Sequence, residues 1–136
     1  MPYLRDYHIL ISHSWSYSEQ YDKVCSWLEK SSYFKWSDYS VCCNHPLETR
    51  SNSELEKKLR ERIAHASCII VISGMYAGYS RWIDFEIDTA LEFGKPIISV
   101  KPWGQQRTPI KIQENSDVMV GWNSDSIINA VRQYAL

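Results

Sequence analysis

The run "SCIIVIS", Ser67 to Ser73, is apolar without alternation, and it limits what this chain can fold into more than any other feature. A strand wetted on one side alternates between apolar and polar residues, whereas an unbroken short run belongs to a strand buried on both faces. Such strands sit inside sheets covered by helices above and below. Two more short branched runs, "YHILIS" (Tyr7 to Ser12) and "IISV" (Ile97 to Val100), fit the same description, and "VMVGW" (Val118 to Trp122) adds another. A weaker strand is expected around Tyr39 to Cys42, stopped by Pro46.

Helical spacing fills the intervals. Ser16 and Glu19 have the spacing of a capping box, followed by Tyr21, Val24, Cys25 and Leu28 on one face. Ser51 and Glu54 repeat that spacing before the stripe Leu55, Leu59, Ile63 and Ala66. A third helix is expected with Ser80 as its cap, Ile83, Ile87, Ala90 and Leu91 inward, and Gly94 at its end. The stretch from Trp103 to Asp117 keeps no period and reads as irregular, with at most a broken helical turn. Ser124 is the expected cap of a last helix with Ile127, Ile128, Val131 and Tyr134 inward.

Strands alternating with helices predict an α/β, flavodoxin-like three-layer sandwich: a five-stranded parallel sheet in the order 2-1-3-4-5 with helices on both faces. The 136 residues suit one domain spanning 1–136. In such sheets ligands bind beyond the carboxyl ends of the strands, where the strand order reverses. "SHSWS", "CCNHP" and "GMYAGYSRW" then border one cleft.

Fifteen basic and sixteen acidic side chains give a net charge of -1, with no cationic cluster suited to a phosphate backbone, so nucleic acid is not an expected partner. The run "ELEKKLRER" alternates in sign and reads as a solvated helix face. No segment has the roughly 20 apolar residues of a membrane span, and "MPYLRDYH" lacks the apolar core of a signal peptide, so a cytoplasmic protein with reduced thiols is expected.

The chemistry of related folds fits poorly. A phospho-acceptor domain needs an acidic pair after its first strand and an aspartate after its third, where this chain has Ser12, His13 and Ser73. A flavin phosphate loop does not accommodate Trp15. Cys42, Cys43, His45 and His13 lack the spacing of a zinc site, and no GxSxG elbow accompanies Ser12 or Ser14. What stands out is "SRWIDFE", in which Trp82 and Glu86 lie one helical turn apart. Asp84 is rotated about 200° from Glu86 and so cannot share its face.

"YHILISHSWS" resembles the first box of TIR domains, "DYSVCCNHP" holds the place of their BB loop, and "SRWIDFE" is similar to their catalytic helix. "FKWSDYSV", "VISGMYAGYSRWIDFEI", "GKPIISVKPWG" and "VGWNSDSI" resemble more particularly the bacterial and archaeal family that includes the Thoeris anti-phage TIR proteins. The resemblance implies an enzyme that takes NAD+ as substrate, without a further cofactor, and cleaves the nicotinamide–ribose bond to make a cyclic or modified ADP-ribose signal. It implies Glu86 as the catalytic carboxylate and Trp82, Ser12, His13, Ser14, Trp15, Asn44 and His45 as substrate-binding candidates. It also implies a homo-oligomer when active, a separate effector that responds to the product, and a phage-derived trigger. A non-catalytic TIR-like adaptor, acting by self-association or partner docking, is the alternative reading.

Overall fold

The computed structural model describes residues 6–12, 19–31, 34–38, 52–72, 76–101 and 110–135. Ten elements alternate along them: β1 (Asp6–Ser12), α1 (Glu19–Lys30), β2 (Lys35–Asp38), α2 (Asn52–His65), β3 (Cys68–Ile72), α3 (Tyr76–Glu92), β4 (Ile97–Lys101), α4 (Ile110–Asn115), β5 (Val118–Gly121) and α5 (Ser124–Tyr134). All strand pairs are parallel, and the sheet order is β2-β1-β3-β4-β5. The fold class expected from the alternation is the one observed.

The central strand explains the architecture. Every residue of Cys68–Ile72 is buried, because β3 lies between β1 and β4 with helices over both faces. Register then divides the sheet. Tyr7 stacks on Phe34 at 5.2 Å between centroids, and the Arg132 guanidinium of α5 lies 5.6 Å above the Phe34 ring, so odd positions of β1 face α5. Even positions face α2: the His8 Nδ1 is 3.3 Å from the His65 carbonyl oxygen. Thus α1 and α5 cover one face, and α2, α3 and α4 cover the other. Ile9, Leu10, Ile11, Val24, Leu28 and Ile63 anchor the core on the β1 side, and Ile98, Val100, Ile127 and Val131 on the β4 side.

Several boundaries differ from the sequence reading. The strand after α1 is Lys35–Asp38, while Tyr39 to Cys42 lie outside the described residues. Its position is set across the sheet: Asp6 pairs with Lys35, and the Ser37 hydroxyl donates to the Asp6 carboxylate at 3.0 Å. Helix α3 begins at Tyr76, so Ser80 is within it rather than capping it. In the last helix Asn123, not Ser124, is the cap, its side-chain oxygen accepting from the Ser126 amide at 2.8 Å. The supposedly irregular stretch contains the short helix α4, whose Ile112 is fully buried. Leu91, expected inward, is 48% exposed. No helix among the described residues is long and apolar enough to cross a membrane.

Candidate active site

Helix α3 runs from Tyr76 to Glu92, and its lower end is well defined. Gly94 adopts φ +68°, the Gly94 amide donates to the Leu91 carbonyl at 3.2 Å, and the Lys95 amide donates to the Ala90 carbonyl at 2.8 Å. This is a Schellman stop, and it sets the height of everything above it. Glu86 lies about 9 Å up the axis from Glu92 at 1.5 Å per residue. The neighbouring strand β4 climbs about 13 Å over its five residues. Glu86 is therefore in the upper half of the sheet's height, and Trp82 is one turn higher on α3, toward the carboxyl rim.

Rotation fixes the direction. Glu86 and Phe93 are seven residues apart, which brings them within about 20° of one another on the helix. The Phe93 ring lies 5.2 Å from the Arg60 guanidinium carbon of α2, while Glu92, about 120° from Glu86, also meets Arg60; Glu86, one turn before the buried Ala90, therefore turns toward the sheet on the α2 side of α3. Helix α2 is the crossover from β2 to β3 and passes over β1. Glu86 thus stands on the side of α3 nearest the β1/β3 switch point, where an α/β sheet opens its ligand crevice.

The Glu86 side chain is 5% exposed, and with Thr89 and Ser99 it belongs to the small set of buried polar residues among those described. A carboxylate at this depth is held only where hydrogen bonds or opposite charge compensate its burial. The helix dipole does not supply that compensation. That effect is confined to the first turn, and Glu86 is ten residues beyond the start of α3 at Tyr76.

Ser12 ends β1, paired with Val71 of β3, which puts its backbone at the same rim and the same switch point. Ser12, Trp82 and Glu86 are thereby brought to one end of the sheet by the chain path. His13, Ser14, Trp15, Asn44 and His45 lie outside the described residues. Asp84, two residues before Glu86, points to a different side of α3, as the spacing requires.

One interaction near this helix has no signal in the sequence. Arg60 of α2 and Glu92 of α3 form a two-pronged ion pair, with Nη1 to Oε2 at 2.8 Å and Nη2 to Oε1 at 3.1 Å. The hydrogen bonds and charge of Arg60 lower the Glu92 pKa, and Glu92 raises that of Arg60. The pair clamps α2 to the lower end of the helix that carries Glu86. Thirty-two residues separate the partners along the chain.

The family model for "Thoeris protein ThsB, TIR-like domain" matches residues 10–107, well over half of the chain. The chain belongs to this family. The matched span takes in the end of β1, every element from α1 through β4 and so all of α3, including Trp82 and Glu86. Among solved structures the fold is similar to the Clostridium botulinum CMP N-glycosidase BcmB, with a TM-score of 0.55 and 18% identity, over 93% of this chain and 99% of that one. At that identity the likeness concerns the fold alone. No curated protein matches the sequence.

Proposed function

We propose that this Thoeris TIR-like domain cleaves NAD+ between nicotinamide and ribose, with Glu86 as the carboxylate that acts at the reacting carbon. The observation that supports the reading is that Glu86 is 5% exposed and ten residues beyond the start of α3, the helix that follows the central strand β3. Family membership supports it, and so does the fold shared with a protein that is itself an N-glycosidase.

The chemistry needs little more than one such group. Nicotinamide departs from NAD+ as a neutral molecule, taking the pair of electrons of the ribose C1′–N bond onto the cationic pyridinium nitrogen. No proton has to be delivered to it, unlike the alcohol of an ordinary glycoside. The positive charge that develops on the ribose ring is what a fixed, poorly solvated carboxylate stabilises. Glu86 also accepts hydrogen bonds from ribose hydroxyls. Water then attacks C1′ and loses a proton, giving ADP-ribose; an adenine nitrogen attacking in its place gives a cyclic product. Trp82, one turn above, and Trp15, between β1 and α1 in the sequence, offer flat surfaces for the nicotinamide or adenine ring. The product is the signal that a separate effector reads, with a phage-derived trigger and self-association governing when the domain acts.

The test is chromatography with mass spectrometry of NAD+ incubated with the concentrated protein, with CMP run in parallel. Release of nicotinamide with a co-product at the mass of ADP-ribose or its cyclic form supports the proposal. Cleavage of CMP with NAD+ intact replaces the substrate while keeping the glycosidic chemistry. Inertness toward both, with and without an infected-cell lysate, favours the adaptor reading.

A further inference from the structure

Among the described residues the buried polar ones are Glu86, Thr89 and Ser99, and their side chains are not satisfied alike. The Ser99 hydroxyl bonds that of Ser116, which donates to the Ile112 carbonyl at 2.5 Å, so these two link β4 to the end of α4. Thr89 is 2% exposed, and its hydroxyl makes no hydrogen bond with any described residue. Ser116 returns its proton to the carbonyl four residues before it; Thr89, inside a helix where that bond is the usual one, does not. A buried hydroxyl left in this way is destabilising, and a valine of the same shape would remove the cost.

The position of Thr89 accounts for the hydroxyl. It follows Glu86 by three residues, which sets it about 60° around α3 and about 4.5 Å farther from the carboxyl rim. The rotation is toward Phe93, which meets Arg60, so Thr89 lies on the side of α3 that packs against α2. Ile87 and Ala90, both fully buried, occupy the side toward the sheet. Side chains three apart on a helix have Cβ atoms about 5–6 Å from one another, and each leans toward the N-terminal end. The Thr89 hydroxyl therefore leans up toward the turn that holds Glu86, without bonding it directly. A separation of that size between a hydroxyl and a carboxylate is what one buried water bridges.

We infer that Thr89 is a positioning residue for Glu86, acting through one buried water that accepts from the Thr89 hydroxyl and donates to the Glu86 carboxylate. The inference rests on the reading of Glu86 as the carboxylate at the reacting carbon. On that reading the substrate comes from the rim above Glu86, and Thr89, a turn below, does not touch it. The water holds one carboxylate oxygen from beneath and leaves the other to the ribose, so the negative charge is fixed where the positive ring develops. A hydrogen bond to a carboxylate is roughly twice as strong as one between neutral groups, and a bridging water transmits most of that strength.

Thr89→Val, which removes the hydroxyl, and Thr89→Ser, which keeps it, test the assignment by crystallography and kinetics. In the wild-type crystal an ordered water stands within hydrogen-bond distance of Thr89 Oγ1 and of a Glu86 carboxylate oxygen, and in Thr89→Val it is gone. Where the wild type releases nicotinamide from NAD+, Thr89→Val lowers kcat about tenfold with KM within about twofold, because a misplaced carboxylate affects the transition state more than substrate binding. Thr89→Ser keeps kcat within about threefold of the wild type. An idle hydroxyl gives a different result: Thr89→Val turns over at the wild-type kcat and melts at the same or a higher temperature, since an apolar group of the same shape replaces an unsatisfied one. That result, a wild-type crystal with no water at this place, or a Thr89→Ser as slow as Thr89→Val overturns the inference. A wild type that leaves NAD+ intact defeats the substrate reading instead, and the water then decides by itself whether Thr89 holds Glu86.

Discussion

At the scale of single residues, Gly94 and Glu86 illustrate two different relations between sequence and structure. Gly94 is legible because only glycine enters the left-handed region without penalty, and its φ of +68° is the reason it stands at the end of α3. Nothing lies within 4 Å of where a Cβ would be, so Gly94→Ala costs only backbone strain, about 1–2 kcal/mol, read as a lowered midpoint in thermal or denaturant unfolding. Glu86 is legible as a residue type beside Trp82, but its burial is not, because burial depends on where α3 begins and on what α2 covers. The Arg60–Glu92 pair was not legible at all. Its contribution has a definite sign with pH: Glu92 has a lowered pKa in the folded state, so the stabilisation is present above the unfolded carboxylate value near 4.5 and disappears as pH falls through the lower folded value. Glu92→Gln is expected to lower the melting temperature slightly at neutral pH and low salt, and to have no effect in strong acid. An unchanged difference across that pH range would remove the ion pair from the account.

Among the elements, β3 is the one whose sequence leaves least freedom. Each of its five residues is buried, and Ile70→Ala is predicted to destabilise the protein by about 2–5 kcal/mol, measured by denaturant unfolding. Met119→Ala on the edge strand β5, 41% exposed, is predicted to change stability by less than about 0.5 kcal/mol. Boundaries were harder to read than element types. "YAGYS" reads as loop because Gly78 costs about 1 kcal/mol relative to alanine inside a helix, yet these residues form the first turns of α3. For β2, the strand Lys35–Asp38 is fixed by its pairing with β1, a long-range contact that local preference does not reveal. α4 is a helix of six residues, too short for its period to show in the sequence, and its Ile112 is buried in the core.

For the whole molecule, the alternation of strands and helices was enough to give the order β2-β1-β3-β4-β5, because the connection rules leave few alternatives. The same order puts the carboxyl ends of β1 and β3 side by side, at the rim from which α3 descends. Membership of the Thoeris ThsB TIR-like family joins these observations to a function, and the account stands on one group. Glu86→Gln keeps nearly the same shape while removing the charge. The most direct measurement is therefore nicotinamide release from NAD+ by the wild type and by Glu86→Gln, under conditions where the wild type turns over, with thermal melting of both. The account predicts a loss of about a hundredfold to a thousandfold or more in rate at unchanged melting temperature. Turnover by Glu86→Gln at the wild-type rate, or lost activity only alongside a collapsed melting temperature, would contradict it.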